Sequence, residues 1–375
     1  MDMKIKSEIP KIIILFLIWR IGLAAVAYFS YYNFPNFPLT KFFQDLHPAI
    51  SMWMPYDAGW YVQIARDGYA FSPQATAFLP LWPMAIWLAS HLLFFLDSRV
   101  VAFLTANLIT LACCIAFYKL ARVTFDEEIS YRAVKYFLFF PMSLFLATGY
   151  TEPLFLLMVF LGFYFFIRKK YLLGGIFAAL AGATRVVGVM MIIPLLIEAL
   201  TQKIALKERI KAGFSALIAP LGLVAYMVYL KIKFNDPLKF IHAQADWHRR
   251  ISFEIFAPLV SNLKTLFSFH IFAPDGGYIT AIMQLGFLLF FLVVLLAGFK
   301  KISRSYFVYG LAVLLLPLLS GTLLSMSRLV YIAFPIFIVL AIWGKKRWVD
   351  ETITAFFLLF LALFTAMFVN GYWVA

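Results

Sequence analysis

Residues 171–199 read YLLGGIFAALAGATRVVGVMMIIPLLIEA, a 29-residue apolar run interrupted at Gly182-Ala183-Thr184-Arg185-Val186-Val187-Gly188. Whether it crosses a membrane once or twice sets the orientation of everything around it. Arg168, Lys169 and Lys170 precede the run, and Lys203, Lys207, Arg209 and Lys211 follow it. Loops rich in lysine and arginine stay on the cytoplasmic side. Both clusters can do so only if the run is two short helices turning near Arg185, and that hairpin is the expected structure.

The rest of the chain supports a membrane reading. Of its 375 residues 64% are hydrophobic and 13% charged, a composition foreign to soluble domains. The net charge of +14 would suggest nucleic acid in a soluble protein. Here the basic residues sit in short clusters between apolar segments, the pattern that orients membrane helices, so nucleic acid is set aside. The two cysteines, Cys113 and Cys114, are adjacent inside an apolar segment, which gives neither a disulfide framework nor metal-ligand spacing. The first apolar run, 12–32, follows a basic start, but it is too long for a signal peptide and reads as a spanning helix.

Further apolar segments lie near 78–96, 99–118, 133–149, 152–167, 212–230, 278–299, 306–320, 329–343 and 352–373. One crossing per segment would strand basic clusters outside. The pattern is repaired if 78–96, punctuated by Pro80, Pro83, His91 and Asp97, stays in the outer leaflet and 171–199 is the hairpin. The expected fold is an all-α integral membrane protein of about eleven transmembrane helices. The chain, 1–375, forms one polytopic domain, with juxtamembrane helices in a first external loop (33–98) and a second large external loop at 231–277. The N-terminus is inside and the C-terminus outside. No internal repeat is evident.

This topology collects polar residues on the outer face. The first loop carries Pro55-Tyr56-Asp57-Ala58-Gly59-Trp60-Tyr61, continuing through Ile64, Ala65 and Gly68-Tyr69 to Phe78-Leu79-Pro80-Leu81-Trp82-Pro83. Asp57 reads as the N-cap of a short amphipathic helix with Trp60, Tyr61, Ile64 and Ala65 on one stripe, ending at Gly68. Capping is the plainer role for an aspartate there, and it is compatible with service as a general base. On the same face lie the turn Gly149-Tyr150-Thr151-Glu152-Pro153, Arg185, the loop holding His242, Asp246, Trp247, His248, Arg249 and Arg250, and Ser327-Arg328.

In these stretches, and in Phe140-Pro141-Met142-Ser143-Leu144-Phe145 and Thr184-Arg185-Val186-Val187-Gly188, the sequence resembles the PIG-V family of mannosyltransferases, in the GT-C superfamily of multispanning glycosyltransferases. The motifs occur in order over nearly the whole chain. The resemblance implies a GT-C-like fold, a polyprenyl-phosphate sugar donor, and a lipid-linked or glycan acceptor. It maps the catalytic carboxylate onto Asp57 and a second acidic site onto Glu152. The location implied is the plasma membrane of a prokaryote or the endoplasmic reticulum of a eukaryote, with chemistry on the non-cytoplasmic face.

Sugar transfer from a lipid phosphate to a hydroxyl needs a base for the hydroxyl proton and cations for the departing phosphate. Asp57 is the candidate base, and Arg185, Arg328, His248 and Arg249 are candidates to hold the phosphate. Trp60, Tyr61, Tyr150 and His242 are expected to line the substrate. If a divalent cation (Mg or Mn) takes part, Asp57 and Glu152 are its oxygen ligands. Arg20, inside the first helix, is expected to face a polar cavity with Asp45 or Asp57 as partner. The tryptophans Trp53, Trp60, Trp82, Trp87 and Trp247 read as interface anchors, although sugar stacking uses the same residue type. A polytopic lipid or solute transporter or flippase is the alternative; it would place its polar residues at mid-membrane, usually in repeated halves.

The topology is testable with single cysteines in a variant lacking Cys113 and Cys114. A cysteine at Ser252 should react with an impermeant reagent added outside, and one at Thr201 should not. External labelling at Thr201 in sealed, correctly oriented membranes would rule out the hairpin.

Overall fold

The computed structural model describes residues 2–35, 41–247, 249–268 and 277–374. The regular elements among these residues are all helical. Five helices are long and apolar enough to cross a membrane: Glu8–Asn33, Ser98–Ala121, Leu206–Phe234, Gly277–Ala297 and Arg347–Val369. A sixth candidate is a broken pair, Met326–Ile332 and Pro335–Trp343, bent by 77°. Four shorter apolar helices accompany them: Glu152–Ile167, Tyr171–Thr184, Val186–Thr201 and Arg304–Ser320.

The multi-pass helical architecture is therefore the expected one, whereas length and composition do not mark eleven full crossings. Several expected spans are short or interrupted. The segment 133–149 is a helix, Glu127–Phe139, that stops before Pro141 and continues as a wholly buried 3-10 turn, Pro141–Leu146. Backbone irregularity of this kind survives at membrane depth only where protein covers it, and here each residue of the turn is buried. Aromatic packing supplies that cover: Phe140 lies against Tyr331, Phe337 and Phe357, and Phe145 against Tyr150 and Phe368.

The run 171–199 does break at Arg185. The helix Tyr171–Thr184 ends there in extended backbone (φ −149°, ψ 141°), and the chain resumes as a 3-10 turn at Val186. Gly188 allows the reversal, because a Cβ on it would sit 2.3 Å from the Ala181 carbonyl carbon. Between the first two long helices, the described helices of 41–92 are too short to span. Leu81–Leu92 has 12 residues, about 18 Å of helix against a hydrocarbon core of about 30 Å. Its neighbour Asp57–Asp67 ends at Gly68, which takes a positive φ of 71°.

Among the tightest packing in the bundle is that of Glu152–Ile167 against Tyr171–Thr184, and of Ser98–Ala121 against Glu152–Ile167. Tyr171–Thr184 also meets Leu221–Phe234 backbone to backbone. A Cβ at Gly222 would lie 1.9 Å from the Ala179 carbonyl oxygen, a contact that only displacement of a helix could relieve. Gly222→Val should therefore destabilise the detergent-solubilised protein by about 1–3 kcal/mol or more, read as a lower melting temperature and reduced folded yield. Gly286→Ala, at a position with nothing within 4 Å, should leave both unchanged or slightly improved.

Candidate active site

The site begins with a turn stitched to a loop. The Trp82 indole Nε1 donates to the Gly149 carbonyl (2.8 Å), and the Tyr150 hydroxyl donates to the Pro55 carbonyl (2.9 Å). These bonds set the start of the Glu152–Ile167 helix beside the start of the Asp57–Asp67 helix. Glu152 suits its position, since its helix opens with Pro153 and an acidic first turn.

Two arginines then converge on Glu152, whose side chain is 1% exposed. Arg185, released from helical geometry by the break, donates through Nη1 to Glu152 Oε1 (2.5 Å) and to Thr151 Oγ1 (3.1 Å). Arg328, placed by the broken pair, brings its Nε to 3.4 Å from the same oxygen. Its Nη1 donates to Asp57 Oδ2 at 2.9 Å. The guanidinium of Arg328 lies over the rings of Tyr150 (5.1 Å) and Phe145 (5.5 Å). Asp57, Arg328, Glu152 and Arg185 thus form one continuous chain of charges. Glu152 Oε2 and Arg328 Nε are buried without a hydrogen-bond partner among the described residues, so the cluster retains bonding capacity.

Asp57 does not cap its helix. Tyr56 occupies the cap position with φ 56° and ψ −114°, Asp57 is the first helical residue, and its carboxylate turns to Arg328 instead. A charged donor is a stronger partner than a helix amide. Such backbone at a non-glycine residue is strained. The Tyr56 hydroxyl bond to the Gly371 carbonyl (2.5 Å) and edge packing on Trp373 hold it in place.

Around the charges stands an aromatic wall. Trp60 stacks on Phe78 (5.6 Å, 13°) and meets the edge of Trp247 (5.3 Å), and Tyr61 packs edge-on against Phe78 (5.1 Å). Burial, and the nearby Asp57 carboxylate, push the Tyr61 phenol up. Arg249 donates to the Leu324 carbonyl (3.1 Å); burial and the charge of Arg328 bring its pKa down to about 10.

The remaining expectations separate. His248 lies outside the described residues. His242 does not join the cluster: its ring bonds Asp236 (2.8 Å), and its side chain is 65% exposed. Tyr150 lines the arginine rather than an open cavity. Arg20 pairs with neither Asp45 nor Asp57. It donates to Asn107 (2.7 Å) and lies over Trp53, while Asp45 is held by Arg99. Trp53 and Trp82 are buried in the bundle and do not anchor an interface. Sequence reasoning missed Thr151, Phe145 and the Leu324 carbonyl as contacts of the arginines. Only the adjacency of Thr151 to Glu152 offered a signal.

The carboxylates do not suit a divalent cation. Arg328 contacts both Asp57 and Glu152 and so fills the space between them. Among the described residues no three His, Cys, Asp or Glu side chains gather.

The helical bundle has a counterpart among solved structures. The apo oligosaccharyltransferase of Archaeoglobus fulgidus matches with a TM-score of 0.51 at 13% identity, over 96% of this chain and 55% of that one. That likeness concerns the fold. Residues 13–203 match the family model described as Mannosyltransferase (PIG-V), and the chain belongs to that family. It is also 31% identical over 120 residues to GPI mannosyltransferase 2 of Schizosaccharomyces pombe, across 32% of this chain and 26% of that protein. The chain thus spans about a quarter of that curated relative and about half of the oligosaccharyltransferase. The family match includes Asp57, Glu152 and Arg185, and Arg328 lies beyond it.

Removing one partner from a buried ion cluster leaves uncompensated charge, at a cost of about 3–5 kcal/mol. Glu152→Gln should show that loss in thermal unfolding, because two arginines depend on one oxygen. Asp57→Asn, at a 21% exposed side chain, should cost clearly less. Equal melting temperatures for the two variants would contradict the central place of Glu152.

Proposed function

We propose that this chain is a membrane mannosyltransferase that moves a hexose from a polyprenyl-phosphate donor to a hydroxyl of a lipid-linked or glycan acceptor on the non-cytoplasmic face. The observation that carries the reading is the unbroken chain Asp57–Arg328–Glu152–Arg185, which joins a candidate base to two candidate phosphate ligands. Family membership supports the sugar and the reaction class. In this reading the bundle crosses the membrane eleven times, with its short helices counted as crossings and its basic loops on the cytoplasmic side.

The acceptor oxygen attacks the anomeric carbon, and its proton passes to the Asp57 carboxylate. The bond from that carbon to the phosphate oxygen breaks, and the phosphate leaves with the electron pair. Arg328 moves from Asp57 toward the phosphate as the donor binds, which exposes the carboxylate that must take the proton. Arg185 and Arg249 add positive charge where the leaving group gathers negative charge. Glu152 orients Arg185 and Arg328 without touching the reacting atoms. The wall of Trp60, Phe78 and Trp247 gives sugar and lipid an apolar face on which to lie.

The test is an assay with labelled polyprenyl-phosphate mannose and extracted native lipids. Asp57→Asn should reduce turnover by about 10²–10⁴-fold with folding and insertion nearly intact. Among the described residues Arg185 makes its two side-chain hydrogen bonds through Nη1, a contact that a lysine ammonium can copy, whereas planar two-nitrogen recognition of phosphate is lost in lysine. Arg185→Lys should therefore weaken donor use strongly at unchanged melting temperature. Normal turnover by folded Asp57→Asn protein would remove Asp57 from the role of base, and normal kinetics for Arg185→Lys would reassign that residue to structure.

A further inference from the structure

The helices that carry the candidate active site also shape a second concavity at their opposite ends. Glu152–Ile167 has 16 residues and so separates Glu152 from the turn at Arg168–Lys170 by about 24 Å. Beyond that turn, between the start of Tyr171–Thr184 and the helix Leu206–Ala216, lies a hollow of about 480 Å³. Lys169, Lys170 and Lys211 line it, with Glu208 as the carboxylate among its lining residues. Glu208 is already bound to Lys211 at 2.7 Å. The lining thus carries three lysines against one carboxylate, and the hollow is suited to an anion.

Its walls show which kind. Leu172, Ile210 and Phe214 line the same hollow and are exposed. A soluble anion gains nothing from these side chains. A lipid with an anionic headgroup engages both parts, its phosphate among the lysines and its acyl chains along Phe214 and Leu172. Lys169 is fixed in a left-handed turn (φ 62°) and Lys170 lies over the Phe165 ring (5.9 Å), so the chain path around two of the three cations is set before a lipid arrives. We infer that this hollow is a binding site for the headgroup of an anionic phospholipid, on the face of the membrane opposite to the Asp57 cluster. The two basic clusters that build it are those expected in the cytoplasmic leaflet, where anionic lipids concentrate.

The experiment uses the full chain in nanodiscs of phosphatidylcholine alone and in nanodiscs containing phosphatidylglycerol. Phosphatidylglycerol should slow hydrogen exchange in 168–173 and 205–216, and soluble glycerol phosphate should not. In native mass spectrometry the wild-type protein should retain phosphatidylglycerol. The combined variant Lys169→Gln, Lys170→Gln, Lys211→Gln should weaken that retention by about tenfold or more. The control variant Lys300→Gln, Lys301→Gln, Lys346→Gln, which removes equal charge from the same expected face, should retain it. Equal loss in both variants would reduce the effect to diffuse surface charge and overturn the site. Protection by glycerol phosphate equal to that by the lipid would overturn the assignment to a phospholipid. The exchange measurement needs only wild-type protein, so an unstable variant leaves the question decidable.

Discussion

A carboxylate with 1% of its surface exposed has to be compensated, and Glu152 is compensated from two directions. Arg185 approaches from the break after Tyr171–Thr184 and Arg328 from the broken pair near the end of the chain. A buried ion cluster is a poor device for stability alone, because apolar residues of similar volume fill such a space at no net loss. Keeping two arginines and two carboxylates there makes sense if they act on a charged ligand. The same requirement links three distant parts of the chain, since each arginine, once buried, depends on the carboxylate as much as the carboxylate depends on it.

Irregular backbone concentrates where these charges are placed. Tyr56 has φ 56° directly before Asp57, Arg185 is itself the extended residue between two helical stretches, and Ser325 has φ 66° three positions before Arg328. Each charged side chain of the cluster sits near a helix start or break, where a side chain can project along the helix axis. Continuous spanning helices would hold them against neighbouring helices at mid-bundle. The shortness of Glu152–Ile167 belongs to the same design, because a helix packed inside protein need not match the full thickness of the bilayer.

The segment that follows Leu221–Phe234 closes this arrangement. Trp247 meets Trp60 and Phe78 of the first loop, and Arg249 follows two residues later. Backbone bonds from Arg250 to Ser320 (3.1 Å) and from Ser252 to Leu319 (2.8 Å) tie the loop to the segment that leads into Arg328. Aromatic surface and positive charge are thereby presented together.

Much of this was legible along the chain because it depends on neighbours in sequence. Hydropathy marks the helices, glycines flanking Arg185 mark the break there, and Gly68 ends the helix that Asp57 begins. The four charged residues of the cluster were also readable as candidates, since charge in an apolar chain is costly wherever it stands. Their pairing was not readable. Asp57 and Arg328 are 271 positions apart, and which helices adjoin is settled by packing summed over the whole bundle. For the same reason Arg20 takes Asn107 rather than a carboxylate, His242 turns to Asp236, and Trp53 and Trp82 disappear into the core. Local patterns assign each residue its cost of burial, whereas only the assembled bundle decides which partner compensates it.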